Sequence, residues 1–128
     1  MVDGSASGLL LAHSYPLAGG DRVRLRLARQ RDAEGIRELL KREGRDAGEL
    51  DIARLIRFDP RRMFVICATR LIEAREVVIG VGAIALGEAA TAEPDLLVVD
   101  QQRGAGIEDL VRGALVSRAL AASRPRAA

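Results

Sequence analysis

A glycine-rich turn in the last third of the sequence carries the residue types best suited to chemistry. It reads Gln101-Gln102-Arg103-Gly104-Ala105-Gly106-Ile107. Because glycine lacks a Cβ, several backbone N–H groups of such a turn can point at one anion. A helix that begins directly after the turn adds the positive end of its dipole. The spacing therefore predicts a binding site for a diphosphate group.

A strand before the turn and a helix after it are the elements that must hold this site. Leu96–Val99 is a short apolar run, which is typical of a buried strand. Beyond the turn, apolar residues recur at helical spacing and form one stripe, which consists of Ile107, Leu110, Val111, Ala114 and Leu115. We therefore expect a strand, a glycine turn and an amphipathic helix in succession.

The first half of the sequence predicts one strand and two helices. From Arg22, arginines alternate with apolar residues, which indicates a half-buried strand. Asp32 is expected to cap a helix over residues 33–43, and Gly44 is expected to end it. A shorter helix is predicted over residues 49–57. Each helix has one apolar face, so both need a sheet to cover.

Two further strands are predicted over residues 63–69 and 77–86, and their short connection implies an antiparallel hairpin. Gly80 and Gly82, within the second of these strands, indicate a bulge or the close approach of another element. With the strand before the glycine turn, the expected order is strand, helix, helix, strand, strand, strand, helix. This order predicts an α+β fold with a mainly antiparallel sheet of about four strands and helices packed on it.

The predicted domain spans residues 21–122. Residues 1–20 are rich in glycine, serine and alanine and are expected to form a flexible arm. Residues 123–128 are expected to form a basic tail.

In element order and in the glycine motif, residues 22–122 resemble the GNAT superfamily of N-acetyltransferases, as a partial GNAT fold. The segment from Tyr15-Pro16-Leu17 to Arg31-Asp32-Ala33 also resembles the start of GNAT domains of the bacterial protein-acetyltransferase type. In this family a Q/R-x-x-G-x-G/A signature binds the pyrophosphate of acetyl-CoA through main-chain N–H groups, and Gln101-x-x-Gly104-x-Gly106 fits that signature.

The resemblance implies that acetyl-CoA or another acyl-CoA is the cofactor. Carried over to this sequence, the strand before the turn pairs with the pantetheine arm and the turn meets the pyrophosphate. The implied cofactor-binding residues are Leu97, Val98, Val99, Gln101, Arg103, Gly104, Ala105, Gly106 and Ile107.

The resemblance also implies transfer of the acyl group to an amine, whose identity the sequence does not reveal. Glu93 and Asp95 flank the start of the fourth strand, where GNAT enzymes hold a general base. They are therefore candidate catalytic residues, and the alternative reading is that both are surface carboxylates of a loop. Autonomous activity is the open question, because the strands and helix that line the acceptor site in the family have no counterpart in this sequence.

The alternative function is a non-catalytic GNAT-like module for regulation or protein interaction. Without the family's later strands, Leu96–Val99 becomes an apolar sheet edge, which calls for a partner. A second copy, residues 9–17 or another polypeptide are the candidates for covering it. Glu108 and Asp109 add carboxylates where a diphosphate would bind and so compete with it. The chain as a fragment of a longer protein is a third possibility.

Composition excludes several function classes. The net charge is only +2 and aromatic residues make up 2% of the chain, so nucleic-acid binding is not expected. The single Cys67 excludes an internal disulfide and a multi-cysteine zinc site, and it fits a small core residue. The single His13 offers no histidine pair, so no metal site is expected. We expect a cytoplasmic protein that does not enter a membrane.

Overall fold

The computed structural model describes residues 13–17, 22–87, 93–102 and 106–123. Among these residues, one antiparallel sheet has five strands in the order β1-β2-β3-β4-β5. The strands are β1 His13–Pro16, β2 Arg22–Leu27, β3 Met63–Ile72, β4 Arg75–Ala85 and β5 Leu96–Val99. The helices are α1 Ala33–Arg42, α2 Glu49–Ile56 and α3 Ile107–Ser123, and a short 3-10 helix, Gln30–Asp32, precedes α1. The predicted α+β class and element order are confirmed.

Strand β1 corrects the expectation that residues 1–20 form an arm. His13–Pro16 pairs with β2, with His13 opposite Leu25 and Pro16 opposite Arg22. Main-chain pairing at a sheet edge does not require alternating apolar residues, and a strand of this length is too short to show a period. Proline is tolerated in an edge strand. The sheet consequently has five strands rather than about four. Because β1 and β5 lie at opposite edges, His13–Pro16 does not cover β5; residues 9–12 lie outside the described part of the chain.

The helices cover both faces of the sheet. One hydrophobic cluster joins α3 to residues such as Ile66 and Ala68, and a second joins α1 and α2 to residues such as Val65 and Cys67. Successive residues of β3 therefore point to opposite faces of the sheet and pack into two separate hydrophobic clusters. Cys67 is fully buried, as predicted, and its burial raises the pKa of the thiol.

The glycines of β4 mark both a bulge and a close approach. The register with β3 shifts between Ala68 and Thr69, which pair with Gly80 and Val78. A Cβ added to Gly82 would lie 2.6 Å from Cδ1 of Leu115 in α3. Helix α3 packs onto the sheet at a distance that only glycine permits there.

The β3–β4 hairpin is longer than predicted. Its strands extend through Ile72 and from Arg75, so that Glu73 and Ala74 alone form the turn, both at positive φ. Two central residues at positive φ are typical of a type I′ turn, whose usual residues are asparagine and glycine. Neither residue type occurs here, which is why residues 72–75 are predicted to interrupt the strands rather than to form a tight turn.

The two ends of α1 compare differently with prediction. Gly44 adopts a φ of 70°, and the N–H of Arg45 donates to the carbonyl of Leu40 at 2.7 Å, so the predicted stop is confirmed. Asp32 occupies the predicted N-cap position, but its side chain makes no capping bond to α1. Its carboxylate instead accepts hydrogen bonds from Arg26 and from the N–H of Arg29. No helix within the described residues is long and apolar enough to cross a membrane.

Candidate functional site

Asp100 fixes the direction in which the chain leaves β5. Its N–H donates to the carbonyl of Ile79 at 2.8 Å, and its Oδ1 accepts the N–H of Gln102 at 3.0 Å. The side chain is buried, with 5% of the residue exposed. An aspartate that bonds the backbone two residues ahead is a common turn former. Asp100 is not among the residues predicted for the site, although an aspartate directly after an apolar strand is a sequence signal for a turn.

Gly106 joins the turn to α3 in a conformation that favours glycine. Its φ is 85°, and its carbonyl accepts the N–H of Leu110 at 3.2 Å, so the hydrogen-bonded ladder of the helix starts at this residue. The N–H groups in the first turn of a helix have no acceptor within the helix. Ile107 is fully buried and packs against Gly80. The start of α3 is therefore anchored to the sheet through Ile107.

The predicted cofactor-binding residues divide into two groups. Leu97, Val98 and Val99 lie in β5, whereas Gln101 and Gly106 lie in the connection to α3 and Ile107 is the first residue of that helix. Arg103, Gly104 and Ala105 lie outside the described residues. β5 stands at the edge of the sheet, with β4 as its neighbour. In an edge strand, alternate main-chain N–H and C=O groups point away from the sheet.

Besides Asp109, three charged side chains that contact one another set the electrostatics at the start of α3. Glu108 lies 3.3 Å from Arg112 one turn further along, and Arg112 lies 2.8 Å from Glu93. The guanidinium of Arg112 therefore offsets part of the negative charge that Glu108 brings to this end of the helix. All three side chains are substantially exposed, so the pairs are weak and screened by salt.

A cleft beside the turn brings together charged side chains that the sequence did not predict to be neighbours. It has a volume of about 390 Å³, and Arg42, Glu43, Val77, Asp100 and Gln102 are among its lining residues. Nη2 of Arg42 lies 3.5 Å from Oδ2 of Asp100 and 3.4 Å from the carbonyl of Val78. Because Arg42 and Asp100 are far apart in the sequence, only the packing of α1 on β4 brings them together.

The two candidate general bases occupy different surroundings. Oδ2 of Asp95 accepts the N–H of Ala85 at 2.8 Å, and the N–H of Asp95 donates to the carbonyl of Ala83 at 2.8 Å. Asp95 therefore fastens the end of β4 to the start of β5. Glu93 contacts Arg112 of α3 instead. The structure does not bring the two carboxylates to one site.

Asp95 also lines a largely apolar cleft of about 400 Å³. The cleft lies between α1, α2 and the starts of β3 and β5. Its apolar lining includes Leu40, Ala47, Leu55, Met63 and Leu96, and its charged lining consists of Arg45, Asp46, Asp51, Arg54 and Asp95. An apolar cleft with a few polar groups is the usual form of a small-molecule site. Glu93 is not among the lining residues.

Comparison with known proteins bears on the fold. No family model matches the sequence, and no curated protein matches it. The structure is similar to the crystal structure of the GNAT domain of S. lividans PAT, with a TM-score of 0.59 and 18% sequence identity. The similarity covers 83% of this chain and 71% of that chain. At this identity the likeness is one of fold, and it confirms the partial GNAT fold that the sequence predicts.

Proposed function

Since the chain has a GNAT fold, we propose that it binds an acyl-CoA along β5 and at the amino terminus of α3, for transfer of the acyl group to an amine. The observation that carries the proposal is the direct passage from an open sheet edge, through Asp100 and the left-handed Gly106, into the first turn of α3. Each part of that passage has donors or acceptors that suit one part of the cofactor.

The fit can be followed from the strand to the helix. The outward main-chain groups of β5 suit the amides of a pantetheine arm, in the way that an edge strand accepts a further strand. The N–H groups of the first turn and the dipole of α3 suit a diphosphate. Among the described residues, a Cβ on Gly106 would meet Cδ2 of Leu17, at 3.7 Å, which is an ordinary van der Waals distance. Arg103, Gly104 and Ala105 complete the binding residues that we propose.

Asp95 is the residue that we propose as proton acceptor. A bound acyl-CoA supplies an acyl group activated as a thioester. The acceptor amine enters the cleft lined by Asp95. As the nitrogen bonds to the acyl carbon, the carbon–sulfur bond breaks and coenzyme A leaves as its thiolate, while Oδ1 of Asp95 takes the proton that the nitrogen loses. Oδ2 is held by the N–H of Ala85, which fixes the orientation of the carboxylate.

A second candidate function, a protein-interaction module, is favoured by the same sheet edge. A strand of a second copy or of another polypeptide can pair with β5 through the main-chain groups that pantetheine would use. Asp95 and Glu93 then act only as structural carboxylates, through their bonds to Ala85 and Arg112. Because both occupants need one edge, they exclude each other, and a cofactor that binds at β5 must dissociate any assembly formed through that strand.

Calorimetric titration with acetyl-CoA tests the proposal. We expect saturable heat with a dissociation constant below about 0.1 mM, and Gly106→Ala to weaken binding because a side chain at positive φ shifts the turn. Gly44→Ala is the matched control, since Gly44 also has a positive φ and open space but lies at the end of α1. It carries a similar strain without touching the site. Absence of heat at about 1 mM cofactor would refute the proposal.

Sedimentation velocity decides between the two candidates. The interaction module predicts a dimer or a larger species that acetyl-CoA does not dissociate. The acyl-CoA site predicts either a monomer or an assembly that dissociates as the cofactor is added.

A further inference from the structure

A second cavity lies at the other side of the sheet, between β1, β2, the β3–β4 hairpin and the 3-10 helix before α1. We call it the arginine cavity. Its volume is about 610 Å³, within the roughly 300–1,000 Å³ that small-molecule sites occupy. Its charged and hydroxyl-bearing lining consists of Arg22, Arg24, Arg31, Thr69, Arg70 and Glu76 with Ser14 at the margin. It is distinct from the acyl-CoA site, because no residue of β5 or of α3 is among its described lining residues.

The pleat of β2 explains why arginines gather here. Arg22, Arg24 and Arg26 alternate with the core residues Val23 and Leu25, so their side chains share one face of the sheet. Arg26 is 4% exposed and is neutralised by carboxylates, whereas Arg22 and Arg24 remain exposed. Of these three arginines, Arg26 is therefore buried in ion pairs, whereas Arg22 and Arg24 line the cavity.

A rigid ion-pair network forms one wall of the cavity. Arg26 binds Asp32 at 2.7 Å and Glu76 at 3.0 Å. The hydroxyl of Thr69, which is 1% exposed, donates to Oε2 of Glu76 at 2.9 Å. The single carboxylate among the described lining residues is thus held in place by Arg26 and Thr69. Because Asp32 also pairs with Arg26, the charge of Glu76 still offsets one of the arginines opposite.

The charge of the lining is strongly positive. Four guanidinium groups face the cavity against one carboxylate. Arg22 donates to the carbonyl of Ser14 at 3.2 Å, and Arg31 lies 3.9 Å from Glu76. Within the described part of the chain, no hydrogen bond or ion pair involves the side chain of Arg24. Guanidinium groups clustered around a concave surface bind phosphate oxygens through paired N–H donors.

We propose that the arginine cavity binds a small organic diphosphate. Among the described lining residues arginines outnumber carboxylates, and this excess of positive charge matches a diphosphate better than a single carboxylate or sulfate. Thr69 and Ser14 contribute polar atoms at the margin, and the buried Arg26–Asp32 pair holds β2 and the 3-10 helix at a fixed separation. The site is pre-formed, so binding requires no rearrangement of the backbone.

Amide NMR during titration with inorganic pyrophosphate tests this proposal at constant ionic strength. We expect saturable shifts at the amides of Ser14, Thr69 and Leu71 with a dissociation constant below about 1 mM. Arg24→Gln and Arg31→Gln are each expected to weaken this binding about tenfold, since each removes a charge-assisted contact. Citrate, with a comparable charge but no phosphate, is expected to bind at least about tenfold more weakly.

The matched control is the double variant Arg57→Gln, Arg61→Gln, which removes two charges from exposed positions away from the cavity. It is expected to bind within about twofold of the unchanged chain. Three outcomes would overturn the proposal: no saturation at these amides, equal weakening in the control, or shifts confined to Gly106 and Ile107. Citrate binding as tight as pyrophosphate would overturn the diphosphate preference.

Discussion

Arg26 and Asp32 form a buried bidentate ion pair in which Nη1 and Nη2 of the arginine lie 2.7 Å from Oδ2 and Oδ1 of the aspartate. Burial favours the neutral form of Asp32, but the hydrogen bonds from Arg26 and from the N–H of Arg29 outweigh it and hold its pKa below the ordinary value. The hydrogen bonds to Asp32 likewise raise the pKa of Arg26. The pair ties β2 to the segment that starts α1.

Replacing Asp32 by asparagine is expected to lower the free energy of unfolding by about 3–5 kcal/mol, because Arg26 stays buried with one charged partner lost. Urea unfolding at neutral pH measures this. Asp109→Asn, at an exposed position in α3, is the control and is expected to change stability by less than about 0.5 kcal/mol. A loss below about 1 kcal/mol for Asp32→Asn would contradict the assigned role of the pair.

The same network predicts how stability depends on pH. Hydrogen bonding to Arg26 lowers the pKa of Glu76, and the pKa of Asp32 is also lowered, from ordinary values of 4.5 and 3.8. Carboxylates with depressed pKa values stabilise the fold above their unfolded-state values, and this contribution is lost as the pH falls through the folded-state values. Unfolding free energies should therefore decrease below about pH 4.5. The decrease should be shallower in Asp32→Asn; an equal slope in both proteins would exclude Asp32 as a contributor.

These predictions rest on contacts that the sequence shows only in part. Alternation in β2 indicates which residues share a face, yet it places Arg26 on the solvated side together with Arg22. The structure buries Arg26, because Asp32 and Glu76 reach it from two other elements. The periodicity of apolar residues describes one helix or strand at a time. It does not show which side chains tertiary packing brings together from different elements.

Gly82 illustrates the opposite case, in which a local signal predicts a tertiary contact. A glycine inside an apolar strand has a packing reason, and here the reason is α3. Gly82→Ala would place a Cβ 2.6 Å from Leu115 and 2.8 Å from Val111. We expect a loss of about 1–3 kcal/mol from the displacement of α3. Gly48→Ala, whose Cβ would meet its nearest atom at 3.8 Å, serves as control in the same unfolding experiment; equal losses would refute the close approach.

The candidate site was predictable where it depends on consecutive residues. The strand, the glycine turn and the helix follow from composition and spacing alone, and Gly106 has the positive φ that the motif suggests. The position of Arg42 beside Asp100 and the largely apolar cleft beside Asp95 could not be predicted, because α1 and α2 pack there from distant parts of the sequence. Strand β1 was missed for a related reason, since pairing of main-chain groups does not require a particular side-chain pattern.

Glu108→Gln tests the electrostatics at the start of α3. Removing this carboxylate leaves a more positive potential at the helix terminus and frees Arg112 from one of its two partners. We expect acetyl-CoA to bind about two- to fivefold more tightly. Glu38→Gln, on the exposed side of α1, should leave the affinity unchanged. Calorimetry gives both values, and weaker binding by Glu108→Gln would show that the carboxylate supports the site.

Asp95→Asn tests the proposed proton acceptor. The asparagine carbonyl can still accept the N–H of Ala85, so the backbone at the start of β5 should be preserved. We expect acyl transfer to slow about 100-fold with an unchanged dissociation constant for acetyl-CoA. Glu93→Gln is the matched control and should retain the rate, because Glu93 does not line the acceptor cleft. Equal rates for Asp95→Asn and the unchanged chain would remove Asp95 from the reaction.

The proposed function requires that acyl-CoA binds at β5 and at the start of α3, and amide NMR with coenzyme A measures this binding residue by residue. We expect saturable shifts concentrated at Leu97, Val99, Gly106 and Ile107, with little change in the arginine cavity at Thr69 and Leu71. Absence of shifts at the first four amides at about 1 mM coenzyme A, or saturable shifts confined to other parts of the sheet, would contradict it.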